Sequence, residues 1–285
     1  MTAHSPLIFR FAPSPNGLLH PGHAYSALFT QSWARRMGAR LLLRIEDIDT
    51  VRCRPEFVEA ITEDLAWIGF AWDGEVRIQS QHFADYEAAA EALRVLGLLY
   101  PCFCTRSRIA AEADGTDPEG APRYSGRCRA LSPRERARRI AAGEAHQWRL
   151  DMERAAALAG PLAIAETMPT PDRPAVSRPA APRRWGDVVL VRKDTPTSYH
   201  LSVVVDDAIQ GVTHVTRGMD LHAATDIHRL VQALLGLPSP FYCHHPLIAD
   251  ANAEKLAKSR GSESLRSLRE AGWTAEDVRR RLDLS

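Results

Sequence analysis

The stretch Arg10-Phe11-Ala12-Pro13-Ser14-Pro15-Asn16-Gly17-Leu18-Leu19-His20-Pro21-Gly22-His23 decides how the rest of this chain is read. It follows a short apolar run, Leu7-Ile8-Phe9, and leads into Ala24-Tyr25-Ser26-Ala27-Leu28-Phe29, which has helical character. A strand, a tight loop holding two glycines and two histidines, and a helix start together make a seat for phosphate. Gly17 and Gly22 lack a Cβ, so ligand or backbone can approach closely. The unpaired N–H groups at the helix start favour an anion, and the helix dipole adds to this. His20 and His23 are three residues apart, so both imidazoles can face one phosphate chain. Taken alone, H-x-G-H would serve equally well as a glycine turn with two surface histidines.

Around this loop, residues 7–100 alternate strand and helix signals, the pattern of a parallel sheet covered by helices. The first helix is predicted to run to about Met37, where Gly38 offers a stop. Arg40 to Ile45 carries three consecutive leucines and reads as a buried strand. A second helix opens with Pro55 in its first turn and sets Phe57, Val58, Ile61, Leu65 and Ile68 at helical spacing; another spans roughly His82 to Leu96. Ala130 to Leu158 has helix-forming composition. Thr167 to Pro182 holds many prolines and is predicted to be a loop or extended connector that a partner or substrate orders. From Trp185 the sheet pattern returns. Asp187–Arg192, Tyr199–Val205 and Val212–Thr216 are predicted strands, and His222–Leu235 is an amphipathic helix closed by Gly236 and Pro238.

The 285 residues, 45% hydrophobic and 25% charged, suit one large domain or two modest ones with a sizeable core. No apolar run approaches the roughly 20 residues of a membrane span. The N-terminus has neither the basic start nor the apolar stretch of a signal peptide. Five unevenly spaced cysteines argue against a disulfide framework and for a reducing compartment, so a cytoplasmic location is expected. Net charge is +1, but from Pro101 to Lys193 there are 17 Lys+Arg against 11 Asp+Glu, or +6, leaving −5 elsewhere. A basic middle suits a local contact with a phosphate backbone, or is simply an Arg-rich solvated face.

Two further groups carry chemistry. Glu46, Asp47 and Asp49 end a strand at the sheet edge where ligands of open α/β folds sit, and their mutual repulsion calls for a cation or an ammonium partner. Cys102 and Cys104, with Cys128 about two dozen residues later, can make three corners of a tetrahedral zinc site. No histidine lies between Cys104 and Cys128, so the fourth position is open to His146, to water, or to nothing if the thiols are reduced and metal-free. Cys53 and Cys243 are isolated and read as packed thiols.

Three signatures in order give the chain a family likeness. Residues 10–23 closely resemble the first signature of the class I glutamyl-tRNA synthetase family. Arg44-Ile45-Glu46-Asp47-Ile48-Asp49 is similar to its R-I-E-D-x-D stretch, and Lys255-Leu256-Ala257-Lys258-Ser259 resembles its lysine loop, with Ala257 replacing a serine. Tyr199-x-Leu-x-Val-Val-Val-Asp-Asp and Thr216-Arg217-Gly218-x-Asp220 also resemble family stretches that line an amino-acid pocket. The C-x-C and Y-x3-C spacing resembles that of shortened members of the family, which implies Tyr124 as the fourth zinc ligand beside Cys102, Cys104 and Cys128.

The resemblance implies a class I synthetase-type Rossmann sheet with an inserted α+β, zinc-containing subdomain. The expected division is 1–100 and 186–248 for the two halves of the catalytic domain, 101–185 for the zinc and tRNA-contact insert, and 249–285 for the lysine loop and a terminal helix led by Thr274. After Ser259 only 26 residues remain, so no anticodon-binding domain is expected and the shortened, queuosine-glutamylating branch fits best. The implied activity is ATP-dependent activation of L-glutamate without tRNA, then transfer to the cyclopentenediol of queuosine in tRNA(Asp). The implied catalytic residues are His20, His23, Lys255 and Lys258. ATP with Mg2+ would be held by Gly17, His20, Gly22, His23 and Lys258. Arg10, Phe11, Ala12, Pro13, Ser14, Glu46, Tyr199 and Arg217 would hold glutamate, with Glu46 near its amino group and the two arginines on its two carboxylates. One structural zinc, no membrane and a monomer complete the expectation. The rivals are a fragment that charges an ordinary tRNA 3′ end and a catalytically dead tRNA-binding relic. Small nucleotidyltransferases share H-x-G-H but lack the companion stretches.

Overall fold

The computed structural model describes residues 6–168, 174–248 and 263–284. In chain order the elements are β1 (Ile8–Phe11), α1 (Pro21–Arg36), β2 (Arg40–Ile45), α2 (Pro55–Trp67), β3 (Arg77–Ile78), α3 (Phe83–Val95), β4 (Leu99–Cys102), α4 (Arg106–Ala111), α5 (Pro133–Ala141), β5 (Gln147–Leu150), α6 (Met152–Ala159), β6 (Ala163–Glu166), β7 (Val176–Pro179), β8 (Val189–Val191), α7 (Tyr199–Ile209), β9 (His214–Gly218), α8 (Thr225–Leu234), β10 (Phe241–His245), α9 (Leu265–Glu270) and α10 (Ala275–Arg281). Seven strands form one sheet in the order β3-β2-β1-β9-β10-β6-β7, and β4-β5-β8 form a small antiparallel sheet. All neighbours in the large sheet are parallel except β6–β7.

The chain steps outward from β1 to β2 and β3 on one side, while β9 and β10 lie on the other. The order therefore reverses between β1 and β9, and in open α/β sheets ligands settle at the strand C-termini of such a point. β1 is buried along its whole length because helices cover both faces of the sheet. Phe9 and Phe11 enter the larger core with Trp33, Leu43, Ile61 and Leu65, while Ile8 packs with Leu42 and Tyr242 in a smaller one. Truncating a side chain as buried as Trp33 would cost about 3–5 kcal/mol.

The predicted strand at Tyr199–Val205 is a helix, α7. A β-branched run of this length does not distinguish a strand from a buried helix by periodicity. Packing against α3 and α8 decides in favour of the helix, with Leu201 to Asp207 all buried. A helix also lets the adjacent Asp206 and Asp207 serve one ionic network, whereas a strand would send them to opposite faces. Two other expectations change. Ala130–Leu158 is divided by β5, after Gly143 at φ +71 ends the turn following α5. Part of the proline-rich connector, Val176–Pro179, is the edge strand β7, where Pro179 costs no ladder bond. The division at 101 and 185 does not coincide with sheet membership: β6 and β7 join the large sheet, and β8 joins β5 in the small one. Among the described residues, no helix is long and apolar enough to cross a membrane.

Candidate active site

A cavity of about 470 Å³ opens at the C-terminal ends of β1, β2 and β9. Its lining includes Arg10, Phe11, Ala12, Pro13, Ser14, His20, Gly22, His23, Glu46, Tyr199 and Arg217, bringing together the phosphate loop and the predicted amino-acid residues. Gly17 is not among the lining residues, and Lys255 and Lys258 lie outside the described residues. Thr216 and Asp220, from the stretch that resembles a pocket lining, are there too; Tyr25, Ser26 and His245 line the cavity as well and had no sequence signal.

The histidine loop is built as a helix cap. His20 is the N-cap of α1, with Pro21 at the first helical position. The His20 Nδ1 accepts from Gly22 N–H at 3.1 Å, and His23 Nδ1 accepts from His20 N–H at 3.1 Å. The rings lie 3.8 Å apart between centroids. Gly22 is required by this packing, since a Cβ there would stand 2.9 Å from the His20 ring.

Behind the cavity lies a buried ionic network of three guanidiniums and three carboxylates. Asp207 Oδ1 accepts from Arg10 Nε at 3.1 Å and from Arg44 Nη1 at 2.8 Å. Arg44 also reaches Glu46 at 3.1 Å and Asp206 at 3.7 Å, and Arg77 holds Asp206 at 2.7 Å. Burial works against the Asp207 charge, yet Arg10 and Arg44 outweigh it and hold its pKa below the ordinary value. For Glu46 burial wins over Arg44 and Arg10, and its pKa is raised. Only Glu46 of the three sequence carboxylates lines the cavity. Asp47 is held by the Ser80 N–H and hydroxyl, and Asp49 by Arg52 and Arg192, so neither needs an added cation.

The two predicted clamps differ. Arg10 already has a carboxylate in Asp207. Arg217, only 5% exposed, has no carboxylate partner among the described residues. Its Nη1 donates to His228 Nδ1 at 3.0 Å, its Nε to His244 Nε2 at 3.2 Å and its Nη2 to Thr225 Oγ1 at 2.6 Å. A buried cation without a counter-ion is costly, and a ligand carboxylate would complete it.

The cysteines converge elsewhere, on the small sheet. Ligand atoms of Cys102, Cys104 and Cys128 all lie within 4.8 Å of one another. Cys104 and Cys128 Sγ are 3.6 Å apart, close to the ~3.8 Å edge of a tetrahedron with ~2.3 Å Zn–S bonds. The Tyr124 hydroxyl lies 3.8 Å from Cys104 Sγ and accepts from Cys128 N–H at 2.7 Å. A hydrogen bond from the Cys128 thiol, against burial and with help from Tyr124, holds Cys102 well toward the thiolate. The three sulfurs are thus spaced to hold a metal ion, with the Tyr124 hydroxyl beside them. A second group, Glu166, His222 and His244, has similar spacing, but Arg178 occupies Glu166 at 2.6 Å and Arg217 occupies His244, which disfavours a cation.

The family described as "tRNA synthetases class I (E and Q), catalytic domain" matches residues 6–284. The glutamyl-Q tRNA(Asp) synthetase of Rhodobacter capsulatus is 45% identical, over 98% of this chain and 100% of that one. The protein of the same name from Symbiobacterium thermophilum is 39% identical, over 94% and 83% of the two chains. The glutamate–tRNA ligase of Aquifex aeolicus is 37% identical, but this chain spans 54% of its length. Among solved structures, a glutamate tRNA ligase from Elizabethkingia meningosepticum in complex with its amino acid superposes with a TM-score of 0.71 at 27% identity, covering 94% of this chain and 54% of that one. A cavity at the sheet's switch point, a histidine loop at its rim and these likenesses agree: the chain belongs to the class I tRNA synthetases of the glutamate and glutamine group, in the glutamyl-Q tRNA(Asp) synthetase family.

Proposed function

We propose that this enzyme activates L-glutamate with ATP, without help from tRNA, and transfers the glutamyl group to the cyclopentenediol of queuosine in the anticodon of tRNA(Asp). The observation that carries the reading is Arg217: a buried cation, without a carboxylate partner among the described residues, that lines the same cavity as Glu46 and the histidine loop. An amino acid with an acidic side chain offers an ammonium to Glu46 and carboxylates to Arg217 and Arg10. Phe11, Ala12, Pro13, Ser14 and Tyr199 supply walls and polar contacts.

In the first step an oxygen of the glutamate α-carboxylate attacks the α-phosphorus of ATP, taken as its Mg2+ complex, and pyrophosphate leaves. Charge grows on the leaving group, so donors placed around it favour the transition state over the ground state. His20 and His23, with Lys255 and Lys258, are assigned this task, and Gly17 and Gly22 let the phosphates approach the loop. Holding both reactants in one cavity supplies the proximity term. In the second step a queuosine hydroxyl attacks the carbonyl of the glutamyl-adenylate and AMP leaves. We assign no general base.

Cys102, Cys104, Tyr124 and Cys128 would hold one structural Zn2+. When bound, the ion cross-links β4 to the turn at Cys128; the set leaves no position for a substrate. We take the enzyme to work as a monomer in the cytoplasm. Labelled glutamate tests the whole reading: it should reach tRNA(Asp) only when queuosine is present. Equal labelling of tRNA(Glu) at its 3′ end would replace this function with ordinary charging, and absence of glutamate-dependent ATP–pyrophosphate exchange would make the chain a binding relic.

A further inference from the structure

Every hydrogen-bond partner of Arg217 among the described residues is a neutral side chain. An arginine only donates, so His228 Nδ1 must accept from Nη1 and carry its proton on Nε2. That Nε2–H then faces His200 Nδ1 at 3.2 Å, which fixes the His200 tautomer in turn. His244 Nε2 accepts from Arg217 Nε, so its proton sits on Nδ1. Thr225 Oγ1 takes Nη2, and the Tyr242 ring lies under the guanidinium, 5.3 Å from centroid to Cζ. Burial and the Arg217 charge both lower the pKa values of His200 and His228, to about 4 for His200, so these rings stay neutral.

Asp220 lines the same cavity without bonding Arg217, and the other acids nearby are claimed by other arginines. Glu166 pairs with Arg178 at 2.6 Å, Asp226 with Arg178 at 3.0 Å and Arg184 at 2.8 Å, and Asp207 with Arg10 and Arg44. Three of the five Arg217 N–H groups are fixed by neutral acceptors, leaving one on each Nη nitrogen. A planar guanidinium held in this way keeps both its orientation and its full charge.

We propose that His228, His244 and Thr225, with His200 behind His228, are positioning residues that set substrate specificity: they orient Arg217 without neutralising it, so that only an amino acid with an anionic side chain completes the site. Glutamine would leave the cation buried and unpaired, which a site of this kind rejects. The inference rests on the reading of Arg217 as a grip on the substrate's carboxylate.

The experiment is glutamate-dependent ATP–pyrophosphate exchange by the full chain, with KM for glutamate and for ATP measured separately. His228→Asp installs a counter-ion beside Arg217; glutamate KM should rise at least 100-fold, ATP KM should hold, and preference for glutamate over glutamine should shrink. His228→Gln keeps an acceptor and should return glutamate KM to within about tenfold of the starting enzyme. Thr225→Val should raise glutamate KM about tenfold and Thr225→Ser should restore it, which decides the matter if the aspartate variant does not fold. Unchanged glutamate KM and selectivity in folded His228→Asp, or in Thr225→Val, overturns the inference. Arg217→Gln separates the two levels. If that variant leaves glutamate KM unchanged, the grip itself is wrong; if it raises KM while the neighbours' variants do nothing, only the positioning role falls.

Discussion

His23 Nδ1 accepts the main-chain N–H of His20, and the His20 ring in turn accepts the N–H of Gly22, each at 3.1 Å. An imidazole that accepts at Nδ1 carries its proton at Nε2. Both rings are therefore neutral with an N–H on the edge away from the cap. The same hydrogen bonds that start α1 also turn the two histidines into donors, which is what a phosphate chain requires. On the proposed function, helix capping and phosphate recognition share one structure.

That coupling makes Gly22→Ala informative. By helix propensity alone alanine would help by about 0.5–1 kcal/mol. A Cβ at this position would instead stand 2.9 Å from the His20 ring and push it out of the cap. We expect pyrophosphate exchange to fall at least tenfold while the melting temperature changes by only a few degrees, since a cap is worth about 1 kcal/mol. Full activity would show that the His20 ring has no part in activation.

Glu46 gives the site a pH dependence. Burial raises its carboxyl pKa despite Arg44 and Arg10, so it takes up a proton at higher pH than an ordinary glutamate. A neutral Glu46 loses its attraction for the substrate ammonium. kcat/KM for glutamate should therefore fall on acidification, beginning above the usual carboxylate range, while KM for ATP stays level. In Glu46→Gln glutamate KM should be about 10–100-fold higher at pH 7.5, the worth of a hydrogen bond to a charged group, and the acidic limb should vanish. An unaltered pH profile in that variant would dissociate Glu46 from the amino group.

Much of this was legible in the sequence because local chemistry and tertiary role coincide there. Pro21, Gly22 and the two histidines form a helix cap at the cavity, and the three consecutive leucines Leu41 to Leu43 between turn signals read as the buried strand that forms there. What could not be read is where partners come from distant segments. Asp207 looked like the end of a strand, yet it lies on a helix and bridges Arg10 to Arg44 across more than 160 positions. His228 sits on a helix with ordinary amphipathic spacing, and nothing local shows that its ring meets Arg217. The likeness to known signatures pointed to Arg217, but that no carboxylate among the described residues pairs with it emerged only from the fold.

Asp64 is a buried carboxyl away from the cavity, on α2, and neither of its oxygens has a hydrogen-bond partner among the described residues. Burial raises its pKa to about 6, with Arg269 at 3.8 Å giving partial relief. The folded state thus binds this proton more tightly than the unfolded chain, where the value is 3.8. Its contribution to stability is present below pH 3.8 and is lost as pH rises through 6. Asp64→Asn should match the starting protein in urea unfolding at pH 4 and exceed it by about 1–2 kcal/mol at pH 8, after allowance for screening. Equal stability at both pH values would mean that Arg269 fully compensates the charge.

The thiol cluster gives the last test. Three sulfurs are spaced for a tetrahedron, with a tyrosine oxygen beside them. Reduced thiols alone would offer only weak hydrogen bonds, whereas a zinc ion gains folding free energy directly from its ligands. Metal analysis of the purified chain should therefore find about one zinc. Cys104→Ser should lose it, and limited proteolysis should then cut between Cys102 and Cys128 first. Pyrophosphate exchange should survive in part, because these residues do not line the cavity. A metal-free wild type that resists proteolysis in this stretch would leave the cluster as simple packing, with Tyr124 bound to the Cys128 N–H for its own sake.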